Sequence, residues 1–89
     1  LVLLQDDDVI DAAVIGVPSD AWGETPLGLI VQRVGAIRST DDILTQANAR
    51  LGKSQRLSSV EVREVLPRST IGKILKKDLR APYWEKDTP

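Results

Sequence analysis

Eighty-nine residues are enough for one domain with a modest core, short of the size at which burial is generous. Hydrophobic residues at 42% and charged residues at 28% describe a globular fold, and a formal net charge of -1 argues against a general nucleic-acid or membrane surface. Cysteine, histidine, methionine and phenylalanine are all absent, which excludes thiol nucleophiles, disulfides, imidazole bases and the usual zinc sites.

The chain opens without an initiator methionine in the apolar run Leu1-Val-Leu-Leu, read as the last turn of a helix that starts upstream, so a piece of a longer protein is expected. That run is too short and uncharged for a signal peptide, and no apolar stretch approaches the roughly 20 residues of a membrane span, so a cytoplasmic location is expected. Asp6, Asp7 and Asp8 read as a solvated turn, because contiguous aspartates point in different directions and make a poor cation site. Residues 10–17 are almost continuously apolar up to Pro18, the pattern of a strand covered on both faces, with Ala12, Ala13 and Gly16 small enough to let helices approach. The loop 18–26 holds Trp22, Gly23 and Glu24. The tryptophan there is a lid on the core or a ligand contact.

A second strand is expected over 27–33, closed by a turn at 34–36. Ser39-Thr-Asp-Asp42 offers a hydroxyl to a first-turn amide and carboxylates to the helix dipole, so a helix follows. Ile43, Leu44, Ala47 and Leu51 form its inner stripe, Gly52 a left-handed stop, and Gln46, Asn48 and Arg50 a solvated outer face. Lys53 and Arg56 lie in the next loop as phosphate contacts or as partners of the helix end. Val60 and Val62 alternate with Glu61 and Arg63 as a third strand, with a slip at Val65 and Leu66 where a bulge would aim the next loop.

Pro67 fixes its own φ and is expected to end that strand, while Gly72 permits the angles that bring Lys73 out of a tight loop on a flexible four-carbon stem. Residue chemistry alone favours a solvated lysine at a helix start over a ligand contact. Ile74, Leu75 and Leu79 then form a helical stripe with Lys76, Lys77 and Arg80 as a solvated basic face, Ala81-Pro82 should end the helix, and Tyr83 and Trp84 should fold back on the domain. The architecture expected is a small α+β domain spanning 1–89, three strands with helices against one face.

Leu66-Pro-Arg-Ser-Thr-Ile-Gly-Lys73 resembles the final core motif of the adenylate-forming superfamily, which includes acyl-CoA synthetases, luciferases and peptide-synthetase adenylation domains. Ala12-Ala-Val-Ile-Gly-Val-Pro-Ser-Asp-Ala-Trp-Gly-Glu-Thr-Pro26 is similar to another motif of that family, and Leu75-Lys-Lys-Asp-Leu-Arg-Ala-Pro-Tyr-Trp84 resembles the closing helix of its acyl-CoA synthetase branch. The resemblance implies a mobile carboxy-terminal lid whose larger amino-terminal partner, with the hinge and the acyl and nucleotide pockets, lies outside these residues. It implies two half-reactions: ATP converts a carboxylic acid to an acyl-adenylate, and coenzyme A then displaces AMP, with Mg2+ accompanying the nucleotide in the other domain.

By the same resemblance Lys73 serves the first step with Pro67, Arg68 and Gly72 supporting its loop, and Gly23 lies beside the pantetheine channel in the second, supported by Trp22 and Glu24. Lys53 and Arg56 would meet the ribose phosphate of coenzyme A, although 53–58 departs from the family's Gly-Tyr-Lys-x-Pro-like stretch. A carrier-protein acceptor, a luciferase-like step and a non-enzymatic interaction module using the basic face of the last helix are the alternatives. The 89 residues alone are expected to fold and to be inactive.

Overall fold

The computed structural model describes residues 2–21, 23–52 and 55–85. A 3-10 turn, Val2–Gln5, leads into strands β1 (Val9–Ser19) and β2 (Gly23–Gln32), helix α1 (Thr40–Arg50), a short strand β3 (Ser59–Val62) and helix α2 (Lys76–Glu85). The sheet runs β1-β2-β3, antiparallel between β1 and β2 and parallel between β2 and β3, which is the three-stranded α+β fold expected. None of the described helices is long and apolar enough to cross a membrane.

The helices do not share a face. Ala12 and Ala13 are successive strand residues and so point to opposite sides of the sheet. Ala12 lies in a core with Ile30, Ile43, Ala47 and Val60, and Ala13 in a second core with Leu27, Leu29, Leu66 and Leu79. Helix α1 therefore covers one face and α2 the other, which corrects the expectation of one covered face. The cause is legible in β2, where Leu27, Leu29 and Ile30 are buried without polar alternation, with Leu29 and Ile30 fully inaccessible. Such a run needs cover on both sides. Each side chain of this kind contributes about 1.5–3 kcal/mol of burial.

Prolines mark boundaries less than the sequence suggests. Pro18 lies within β1 opposite Glu24, and Pro26 within β2 opposite Gly16, so the expected loop 18–26 shrinks to the residues between Ser19 and Gly23. Strand β1 is at the sheet edge, and Pro18 shares the parity of Gly16, whose carbonyl is reached from outside the sheet by Trp84. Its missing N–H thus removes no ladder bond. Pro82 lies inside α2 instead of ending it. One helical hydrogen bond is lost there, and the following turn is held from outside, Tyr83 by Glu61 and Arg63 and Trp84 by the Gly16 carbonyl.

Helix α1 begins as expected, with the Ser39 hydroxyl accepting from the Asp42 amide at 3.1 Å. It ends differently: Leu51 is extended and donates to the Ala47 carbonyl, and the left-handed glycines are Gly23, Gly35 and Gly72, not Gly52. Asn48 is not a solvated residue. Its side chain donates to the Leu57 carbonyl at 3.0 Å and accepts from the Leu57 amide at 2.8 Å, because a carboxamide is the complement of a peptide unit. Arg50 likewise donates to the side-chain amide oxygen Oε1 of Gln5.

The aspartate run is likewise no simple solvated turn. Asp8 is 3% exposed. One of its carboxylate oxygens faces the Arg33 guanidinium at 2.8 Å and the other accepts from the amides of Ile37 and Arg38 at 3.2 and 3.1 Å. Asp6 meets Arg38 at 2.8 Å. These groups staple the segment joining β2 to α1. The amide of Arg38, helped by that of Ile37 and by Arg33, holds the Asp8 carboxyl below the usual carboxylate range against the opposing effect of burial.

Strand β3 stops at Val62, so Pro67 does not terminate it. The chain then crosses the face covered by α2, burying Leu66 to 2% and leaving Val65 71% exposed, and so reaches β1 at the outer edge of the sheet.

Candidate functional site at two ends of one strand

The segment around Lys73 is a small closed hairpin. Arg68 and Ile74 form an antiparallel bridge. Within it the Ser69 amide donates to the Lys73 carbonyl at 2.8 Å and the Gly72 amide to the Ser69 carbonyl at 2.9 Å, while the Ser69 hydroxyl accepts from the Lys73 amide at 3.3 Å. Gly72 takes φ 86°, a left-handed angle that most side chains resist, and it turns the chain toward Lys73. At the base, the Leu75 amide donates to the Pro67 carbonyl at 2.9 Å. The hairpin backbone is fixed, and the Lys73 side chain is exposed and forms no ion pair among the described residues.

Arg68 fastens this hairpin to the sheet. Its Nη1 donates to the Gly72 carbonyl at 3.1 Å and its Nη2 to both oxygens of Asp11 at 2.6 Å. Asp11 lies at the start of β1, opposite Val31 and next to the register shift that follows Val9. Neither Asp11 nor its pairing with Arg68 is visible in the sequence, since the residues are 57 positions apart and no periodicity connects them.

Gly23 lies at the opposite end of β1. It opens β2 opposite Ser19, with φ 77°, and among the described residues beyond its chain neighbours no atom lies within 4 Å of where its Cβ would be. A larger residue there would be strained by its backbone and not crowded by those residues. Glu24 follows on the ladder. Its carboxylate lies over Gly16 and meets Arg80 of α2 at 3.2 Å. An open hollow of about 330 Å³ beside it is lined by Val14, Ile15, Gly16, Glu24, Thr25 and Pro26.

Arg56 joins this end of the sheet. The Ser58 amide donates to the Pro26 carbonyl at 2.9 Å, the hydroxyls of Thr25 and Ser58 are hydrogen-bonded, and β3 starts opposite Leu27, so the segment entering β3 lies beside the beginning of β2. Arg56 itself is exposed. Trp22 and Lys53 lie outside the described residues.

The predicted residues thus separate into two groups. Pro67, Arg68, Gly72 and Lys73 lie at the Asp11 end, and Gly23, Glu24 and Arg56 at the Ser19 end. Eight residues of β1 at about 3.3 Å each put roughly 26 Å between them. Among the described residues no group of three acidic side chains is placed to hold a metal ion.

A fold with two anchored turns at opposite ends of an antiparallel pair, helices on both faces and a lysine hairpin before the last helix is that of the AMP-binding enzyme C-terminal domain. The family model matches residues 2–73, ending on Lys73, and the chain belongs to this family. It is 34% identical over 88 residues to 4-coumarate-CoA ligase-like 9 from Oryza sativa subsp. japonica, covering 99% of this chain and 16% of that protein. Among solved structures, ATP-bound MatB from Rhodopseudomonas palustris superposes with TM-score 0.84 and 31% identity over 91% of this chain and 16% of that one. A Mycobacterium tuberculosis fatty acyl CoA synthetase gives TM-score 0.83 and 32% identity over 96% of this chain and 17% of that one. The chain spans about one sixth of the length of such relatives.

Proposed function

We propose that residues 1–89 form the moving carboxy-terminal domain of an acyl-CoA ligase, a cytoplasmic enzyme that activates a carboxylic acid with ATP and transfers the acyl group to coenzyme A. The reading rests on one observation: the hairpin of Lys73 is tied to Asp11, Gly23 faces Ser19, and a rigid strand of roughly 26 Å separates them. Two such sites cannot act on one reacting carbon together. They can act in turn if the domain rotates against a partner that holds the substrates. The CoA ligases among its relatives support this choice of class.

In the first half-reaction Lys73 enters the site formed with the amino-terminal domain. The acid arrives ionised, so no base is required, and charge moves among carboxylate, α-phosphate and pyrophosphate oxygens. One ammonium at about 4 Å contributes on the order of 4 kcal/mol at an effective dielectric near 20, before desolvation is subtracted. Pro67, Arg68 and Gly72 hold the hairpin that delivers it. Any magnesium that accompanies ATP is held outside this domain. In the second half-reaction the domain turns to bring Gly23 to the thiol, with Trp22 and Glu24 beside it and Lys53 and Arg56 toward the ribose phosphate. The bare backbone of Gly23 and the open space around it suit the approach of a thin pantetheine arm.

The test is Lys73→Ala in the full-length enzyme. Acyl-adenylate formation should fall by roughly 10²–10³-fold, the loss typical of one transition-state donor, with thioester formation from supplied acyl-adenylate nearly unchanged. Equal losses in both half-reactions would reject the assignment.

A further inference from the structure

We propose that Arg80 is a positioning residue for the coenzyme A half-reaction, holding Glu24, and through it the Gly23 end of β2, in a single arrangement. This rests on the function proposed above. The sequence placed Arg80 on a solvated basic face with Lys76 and Lys77, and the structure puts it in a closed ring of contacts. Its Nη2 donates to Glu24 Oε1 at 3.2 Å. Its guanidinium lies over the Trp84 ring, 5.7 Å from the centroid. The Trp84 indole N–H donates to the Gly16 carbonyl at 2.9 Å, and the Glu24 side chain lies over Gly16 itself.

Each contact alone would be modest. Glu24 and Arg80 are about half exposed, and exposed ion pairs contribute little. The ring, however, restricts Glu24 from two sides. A Cβ built on Gly16 would lie 1.9 Å from Glu24 Oε1 and 2.5 Å from its Cδ, so the side chain occupies space that only glycine leaves free. Arg80 takes the outer edge of the carboxylate, and Trp84 keeps α2 against β1. The glutamate that follows Gly23 is therefore clamped between the edge strand and α2, the helix that begins just after the Lys73 hairpin.

Two substitutions release the same side chain from opposite sides. Arg80→Gln removes the charge from α2. Gly16→Ala pushes Glu24 off β1 without backbone strain, since Gly16 is not left-handed. In the full-length enzyme each should raise KM for coenzyme A by about two- to five-fold, the range of a partly exposed ion pair, and leave pyrophosphate exchange unchanged. Arg80→Lys should restore most of the loss, and Arg80→Gln combined with Gly16→Ala should be no worse than either alone. Amide exchange at Thr25, whose register partner is Val17, should quicken by a similar factor in both single variants. Faster exchange at Thr25 with an unchanged KM for coenzyme A would overturn the positioning role, as would an equal loss in both half-reactions. If Gly23→Leu also left coenzyme A turnover intact, the fault would lie in the functional reading beneath it.

Discussion

Removing the Asp11 carboxylate should weaken adenylation without removing the group that performs it. Arg68 Nη2 sits 2.6 Å from both Asp11 oxygens, with side-chain exposures of 41% and 25%. A charge-assisted contact to one nitrogen would be strong if buried, but at this exposure solvent screening brings it to about 1 kcal/mol. Asp11→Asn retains shape and one acceptor and removes the charge, so the hairpin should leave its docked position about five-fold more often. Arg68 keeps its bond to the Gly72 carbonyl, and the internal hydrogen bonds of the hairpin remain. Pyrophosphate exchange in the full-length enzyme should therefore fall measurably and by at most about five-fold, far less than in Lys73→Ala, with thioester formation unaffected. Arg68→Gln should resemble it, and the double variant should fall short of the product of the two single losses. Adenylation unchanged in a correctly folded Asp11→Asn enzyme would refute the idea that this ion pair positions Lys73.

Two further predictions concern charge and stability. Asp8 has a depressed folded-state pKa, so its contribution is complete above the ordinary carboxylate value and is lost as pH falls through the lower one; Asp8→Asn should lower Tm at neutral pH and flatten its acid limb, and a neutral-pH Tm equal to wild type would count against the staple. Tyr83, the sole tyrosine, is raised to about 12, first by burial and then by its hydrogen bond to Glu61 and that carboxylate's charge. Its contribution is complete below about pH 10 and lost as pH rises toward 12. Phenolate absorbance should show one late midpoint, which Glu61→Gln lowers without returning it to the ordinary tyrosine value; an ordinary midpoint in the wild type would contradict the packing of Tyr83.

Local rules made much of the fold readable. The Ser39 cap, the stripe of Ile43 and Ala47, and the apolar runs of β1 and β2 each follow from a few adjacent residues. The run 10–17 even implied cover on both faces, and placing both helices on one side overlooked that implication. What could not be read was tertiary pairing between distant polar groups. Asp8, Asn48 and Arg80 looked like solvated residues, and the pairing of Asp11 with Arg68 left no trace in the spacing, because these partners are set by the sheet register. Pro82 misled for a related reason. A helix-breaking preference is local, and the anchors of Tyr83 and Trp84 that override it come from β3 and β1. At the candidate site a tight loop presenting Lys73 was legible from Gly72 and the resemblance to a known motif, whereas its closure as a hairpin and its tie to Asp11 were not.

The central claim is that one rigid domain carries two separate functions at the two ends of β1. The most direct test measures both half-reactions of the full-length enzyme in Lys73→Ala and Gly23→Leu side by side. The account predicts a crossed result: Lys73→Ala loses pyrophosphate exchange and keeps thioester formation, while Gly23→Leu keeps exchange and loses coenzyme A-dependent turnover. Gly23→Ala separates obstruction from strain, since it shares the φ penalty and fills little of the open space around Gly23. Loss of adenylation in Gly23→Leu with an unchanged Tm, or parallel losses of both half-reactions in either variant, would contradict the division of labour along the strand.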